Sequence, residues 1–144
     1  MPNQDHNNLA IRVQIQAEDF DLESEINHLK QFGDIGGVAS FTGLCRDEGG
    51  QLSALELEHY PGMAEAQILE ICHEAFKKFD LIGITAIHRF GKIAHGENIV
   101  LVVAKAFSNA DNGMSRVAPL LPFFDHFLVV CFFPGFVFLN GYFI

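Results

Sequence analysis

Residues 99–106 read Ile-Val-Leu-Val-Val-Ala-Lys-Ala, apolar at every position except Lys105. Gly91 and Gly96 punctuate the chain just before this run. Its length and flanks suit a strand, and a strand so nearly continuous in apolar residues is expected at the centre of a sheet. The remaining elements have to be arranged around it.

Leu9, Ile11, Val13 and Ile15 alternate with polar residues, the period of a half-buried strand. Asp21 is placed to cap a short helix in which Leu22, Ile26 and Leu29 share one face. Gly33, Gly36 and Gly37 break the chain before a strand at Val38–Thr42, and Gly49-Gly50 forms a loop tip ahead of another at Leu52–His59. Pro61 suits the first turn of a helix, where its missing N–H costs little. Along that helix Ala64, Ile68, Ile71, Cys72, Ala75 and Phe79 fall three and four apart and build an apolar stripe. Ile82–Arg89 reads as a further strand, joined to the central one by a connection that contains the two glycines. Strands and helices mixed without a regular βαβ rhythm predict an α+β domain with a mainly antiparallel sheet.

The chain has 144 residues, 49% of them hydrophobic and 19% charged, which fits one well-packed domain and argues against disorder. A net charge of −9 excludes a general nucleic-acid coat, which needs basic surface to displace counterions. It still permits an anionic substrate where a few cations converge. Three cysteines, Cys45, Cys72 and Cys131, form no CxxC pair and suit a reducing cytosol. The polar stretch Met1–Asn8 has no apolar core of a signal peptide. The seven histidines show no metal-ligand spacing, so no metal site is expected, and no phosphate-binding glycine motif or nucleophile elbow appears.

Three blocks carry candidate chemistry. Phe41-Thr42-Gly43-Leu44-Cys45-Arg46 ends with a guanidinium at the start of a loop, where it can grip a phosphate through two parallel hydrogen bonds. From spacing alone a surface pair with Asp47 or Glu48 is the favoured reading. Leu57-Glu58-His59-Tyr60-Pro61-Gly62-Met63 follows. On a strand Glu58 and Tyr60 would point one way and His59 the other, which rules out a three-residue catalytic unit and favours orientation of the turn. His88-Arg89-Phe90-Gly91 with Gly96-Glu97 is the third block, and His88 reads as a hydrogen-bonded structural histidine rather than a general base.

In this order and approximate spacing the three blocks resemble the large, catalytic subunit of molybdopterin synthase, over roughly residues 9–106. The resemblance implies an α/β-hammerhead fold and sulfur transfer onto cyclic pyranopterin monophosphate. The donor would be the C-terminal Gly-Gly thiocarboxylate of a small ubiquitin-like subunit. It further implies a cytoplasmic homodimer within a heterotetramer, with no cofactor of its own. Arg46 takes the family's substrate-binding arginine, and the backbone of Leu44 and Cys45 lines the same pocket. Cys45 itself reads as a small buried filler, with no base beside it in sequence.

The likeness stops near residue 107. The family continues with a His-Arg pair and two catalytic lysines, one of them in a Pro-Phe-Trp-Lys-like stretch. Here Phe107-Ser108-Asn109-Ala110 follows the central strand, and Arg116 is the only cation beyond Lys105. Residues 117–144 hold eight phenylalanines and, besides the chain terminus, one charged side chain, Asp125. A reading-frame change near codon 107 would produce such a break. The chain is therefore divided into 1–106, like the family, and an atypical segment 107–144. Catalytic groups remain unassigned, and impaired sulfur transfer is expected. A non-catalytic scaffold that docks the small subunit is the alternative. A membrane span over Phe127–Ile144 is long enough in its 18 residues, but Pro134-Gly135 and Asn140-Gly141 interrupt it.

Overall fold

The computed structural model describes residues 10–31, 36–47, 49–50 and 54–106. Residues 107–144, and with them the expectations for the Phe-rich segment and a membrane span, lie outside the described residues, as does the start of the strand expected from Leu52.

The apolar run becomes β6 (Asn98–Ala106), and its two faces are covered by different helices. Ahead of it in chain order come β1 (Ile11–Gln16), α1 (Leu22–Lys30), β2 (Gly37–Leu44), β3 (Ala54–Leu57), α2 (Met63–Lys78), β4 (Leu81–Arg89) and β5 (Gly91–Ala94). Strands β1, β4, β6 and β2 lie side by side in that order, with β6 antiparallel to both neighbours and β1 parallel to β4. Successive strand residues alternate in direction. Val100, Val102 and Ala104 accordingly join the core under α2 with Ile68, Cys72 and Ala75, while Leu101 and Val103 join Leu29 of α1. Both faces are covered, so no polar alternation is required in β6.

The domain is α+β and mainly antiparallel, as expected, with three corrections of detail. The strand expected at Leu52–His59 ends at Leu57 and stands outside the main sheet, paired with β5 in a separate two-stranded ribbon. The connection between β4 and β6 supplies that partner strand, a short element that glycines at both ends disguise. Pro61 lies ahead of α2 rather than in its first turn: Met63 donates to the Tyr60 carbonyl at 3.3 Å, closing a Tyr60-Pro61-Gly62-Met63 turn. Proline second and a positive-φ glycine third are the signature of a type II turn. Ala64, Ile68, Ile71, Cys72 and Ala75 are buried as the stripe predicted, but Phe79 is the C-cap residue and only half-buried against the core edge.

Local chemistry fixes the helix ends. Asp21 accepts a hydrogen bond from the Ser24 amide at 2.8 Å and caps α1, and hydrogen bonding from the Ser24 side chain, with that amide, holds its carboxyl below the ordinary range. Glu65 reaches back to the Gly62 amide at 2.8 Å, the glutamate half of a capping box. An Arg12–Glu25 ion pair ties β1 to α1.

The least expected member of the core is Lys105. Its side chain is fully buried on the α1 face of β6, and Nζ donates to the Leu29 carbonyl at 2.7 Å, near the negative end of α1. Gly83 opposite makes room for the stem: a Cβ there would lie 2.6 Å from Lys105 Cε. Burial depresses the lysine's pKa below its ordinary value, so the native state binds its proton less tightly than the unfolded chain does. The native state is then penalised while the proton is bound, and the penalty is relieved as pH rises through the lowered value toward the ordinary ~10.4. We expect unfolding free energy, measured by urea titration, to rise more between about pH 8 and about pH 10 than in Lys105→Met, which lacks the titrating group. Equal pH slopes in the two proteins would contradict it.

Candidate functional site

Arg46 sits just beyond the end of β2, and the path of the chain into it is tightly specified. In β2 Gly43 pairs with Val100, and the next residue, Leu44, pairs with Asn98, so Ile99 of β6 is skipped and the ladder bulges on the β6 side. Bulges bend a strand and re-aim the side chains that follow. Gly43 is needed because a Cβ there would lie 2.7 Å from Val100 Cγ1, inside contact distance. Leu44 emerges 56% exposed, Cys45 turns inward to 3%, and Arg46 is exposed again.

The backbone of Cys45 is gripped from both sides. Its amide donates to the Glu97 carbonyl at 2.8 Å, and its carbonyl accepts from the Gly96 amide at 2.8 Å. The Cys45 thiol lies buried near the Ile93 carbonyl, Sγ to O 3.8 Å, and burial pushes its pKa up. It is a filler and not a nucleophile, as the sequence suggested. Both backbone groups of Cys45 are thus occupied by the Ala94–Glu97 turn.

The third block turns out to be the mount for this loop. Ala94-His95-Gly96-Glu97 forms a turn in which the Glu97 amide donates to the Ala94 carbonyl at 3.1 Å, with Gly96 at φ 83°. The Glu97 carboxylate closes the same turn from outside, accepting from the Ala94 amide at 3.1 Å. Arg89, with its side chain 9% exposed, lies behind it. Nε and one terminal nitrogen donate to the Ala17 carbonyl, each at 3.1 Å. The other terminal nitrogen donates to the Asn98 carbonyl at 2.9 Å and reaches Glu97 Oε2 at 3.5 Å. Such a fork of fixed donors satisfies a buried guanidinium without a second buried charge. His88 is also buried, and its Nδ1 lies 2.8 Å from the Arg89 carbonyl. Burial holds its pKa below the ordinary value, which keeps it neutral and structural.

Glu58, His59 and Tyr60 follow β3 instead of lying on it, yet they divide as the strand reading expected. Tyr60 donates to Glu58 at 2.9 Å, and this bond with the nearby carboxylate raises the phenol's pKa. His59 goes elsewhere, stacking on Phe90 with ring centroids 4.8 Å apart and meeting Glu65 at 2.9 Å. The cluster therefore joins the start of α2 to the end of β4. Among the described residues no group of three or more His, Cys, Asp or Glu could hold a metal ion, and no helix is long and apolar enough to cross a membrane. Sequence reasoning found Arg46, Cys45, Arg89 and Glu97 but not the bond between Cys45 and Glu97, about fifty positions apart, which leaves no local pattern.

Comparison with known proteins agrees with this geometry. The profile of the MoaE protein family matches residues 15–112. A Rhizobium meliloti protein named molybdopterin synthase catalytic subunit is 51% identical over 120 residues, covering 78% of this chain and 77% of the relative. A Mesorhizobium japonicum protein of the same name is 63% identical over 97 residues, 67% of this chain and 61% of the relative, so the chain spans under two thirds of that protein. Among solved structures, the Burkholderia ambifaria MoaE protein superposes with a TM-score of 0.66 at 32% identity, over 78% of this chain and 75% of that one. A Helicobacter pylori complex of subunits 1 and 2 of molybdopterin-converting factor shares the fold, with a TM-score of 0.58 at 17% identity over 85% of this chain and 77% of that one. With bulge, buried cysteine and Arg89–Glu97 mount all inside the matched stretch, the chain belongs to the MoaE protein family.

Proposed function

We propose that the chain serves molybdenum cofactor biosynthesis as a large subunit of molybdopterin synthase. In this role it converts cyclic pyranopterin monophosphate to molybdopterin with sulfur from a thiocarboxylated small subunit. The observation that carries the reading is Arg46, presented in an exposed position by a loop whose preceding residue is bonded at both backbone groups. A phosphate-binding arginine benefits from this, since less freedom is lost when the anion docks. The relatives' shared name supports the same activity. By the same reading the partner is a small ubiquitin-like protein that inserts its C-terminal Gly-Gly tail, and the assembly is a homodimer within a heterotetramer. Two described cysteines are free thiols, in keeping with the cytoplasm.

Residues 107–144 are proposed as an atypical segment that lacks the family's catalytic lysines. Lys105, the last lysine of the chain, cannot stand in for them while its ammonium is buried against Leu29. This favours weak turnover, and in the limit a scaffold that binds the small subunit without reacting. A second protomer brings the same segment and supplies no missing lysine.

Three outcomes follow. Arg46→Ala should weaken binding of cyclic pyranopterin monophosphate by about 1.5–3 kcal/mol, and Arg46→Lys should restore only part of it. Isothermal titration reads both, and unchanged affinity in Arg46→Ala would return the residue to the surface. The small subunit should be retained on the immobilised chain, and removal of its two terminal glycines should abolish retention; equal capture of both forms would contradict tail insertion. Dithiolene formation from purified components should run at least ~10²-fold slower than with a family member carrying both lysines, the scale of one lost acid–base group. Comparable turnover would show that other residues do the lysines' work.

A further inference from the structure

The Arg89–Glu97 pair lies next to the backbone of residue 45, one position before Arg46. We infer that Arg89 and Glu97 are positioning residues for Arg46, acting through the Ala94–Glu97 turn and the backbone of Cys45. The inference deepens the reading of Arg46 as the phosphate-binding group and rests on that reading.

The path has three links. The Arg89 guanidinium joins the Ala17 carbonyl to the Asn98 carbonyl, so the ends of β1 and the start of β6 are held to one buried group. From there one terminal nitrogen reaches the Glu97 carboxylate at 3.5 Å, and the same carboxylate oxygen accepts from the Ala94 amide at 3.1 Å. That fixes the turn on which the Glu97 carbonyl and Gly96 amide are aimed. These two groups then clasp Cys45, both bonds at 2.8 Å. The β2–β6 ladder ends with Leu44 and Asn98, so beyond it residue 45 is held by this clasp together with its buried thiol, Sγ 3.8 Å from the Ile93 carbonyl. Glu97 is about half exposed, so its charge attraction to Arg89 is screened. Its main contribution is the hydrogen bond that shapes the turn. A loop that orders before ligand arrives avoids the entropy cost of ordering on binding.

The role separates from plain stability in a double-mutant cycle on the full chain, with cyclic pyranopterin monophosphate as probe. Glu97→Ala should weaken binding about two- to tenfold, the scale of one net hydrogen bond, while Glu97→Gln, which keeps the acceptor for Ala94, should lose little. In an Arg46→Ala background Glu97→Ala should cost no further affinity, because it acts through the missing side chain. Amide hydrogen exchange gives a ligand-free measure: Cys45 and Gly96 should exchange about tenfold faster in Glu97→Ala, with the amides of α2 unchanged. Unchanged exchange at Cys45, a uniform rise across the domain, or an additive loss of affinity in the double variant would each overturn the positioning role. If Arg46→Ala alone leaves affinity intact, the substrate reading of Arg46 fails, and with it the functional half of the inference; the exchange result then decides whether the turn still sets the loop.

Discussion

Strand β6 is the constraint around which everything else in the described domain is arranged. It is buried on both faces, so each neighbouring element must present apolar surface to it: β4 and β2 along its edges, α2 on one side and α1 on the other. Each fully buried Val, Leu or Ile contributes about 1.5–3 kcal/mol relative to exposure, which makes this strand the most costly place in the chain to put a polar group. One sits there nonetheless. Lys105 is accommodated because its stem lies over a glycine and its ammonium finds the carbonyl end of α1.

The functional loop depends on the same strand at its other end. β6 begins at Asn98, directly after the turn that holds Cys45, and its pairing with β2 stops where the bulge begins. Rigid central sheet and exposed Arg46 are thus separated by only a few residues, with a buried guanidinium at the junction. The arrangement places an exposed cation on a firmly supported loop, which is the usual logic of a binding residue: mobile enough to meet a ligand, mounted on a scaffold that does not move.

Much of the fold was legible one element at a time. Alternation marked β1, the Asp21 cap marked α1, and spacings of three and four marked the buried face of α2, because each depends on neighbours within a few positions. The same local rules failed at Pro61. A proline before a helix can occupy its first turn or the turn before it, and only the Tyr60–Met63 bond distinguishes them. They failed again at β5, whose four residues are too few to show a period and whose pairing with β3 joins segments more than thirty positions apart.

The sequence by itself determined which residues are candidates: Arg46 after a strand, a buried Cys45, a His88-Arg89 pair, a Gly96-Glu97 turn, and family membership through their order. It also determined that Lys105 is the last lysine, from which the expectation of weak turnover came. What only the tertiary structure decided is how these residues meet. That Arg89 reaches Ala17, that Glu97 grips Cys45, and that Lys105 ends on Leu29 are contacts between segments far apart in the chain. Periodicity and capping are written in near-neighbour spacing and can be read directly. A contact across tens of residues exists only once the sheet has set its register, and register is fixed by packing of the whole core rather than by any local stretch.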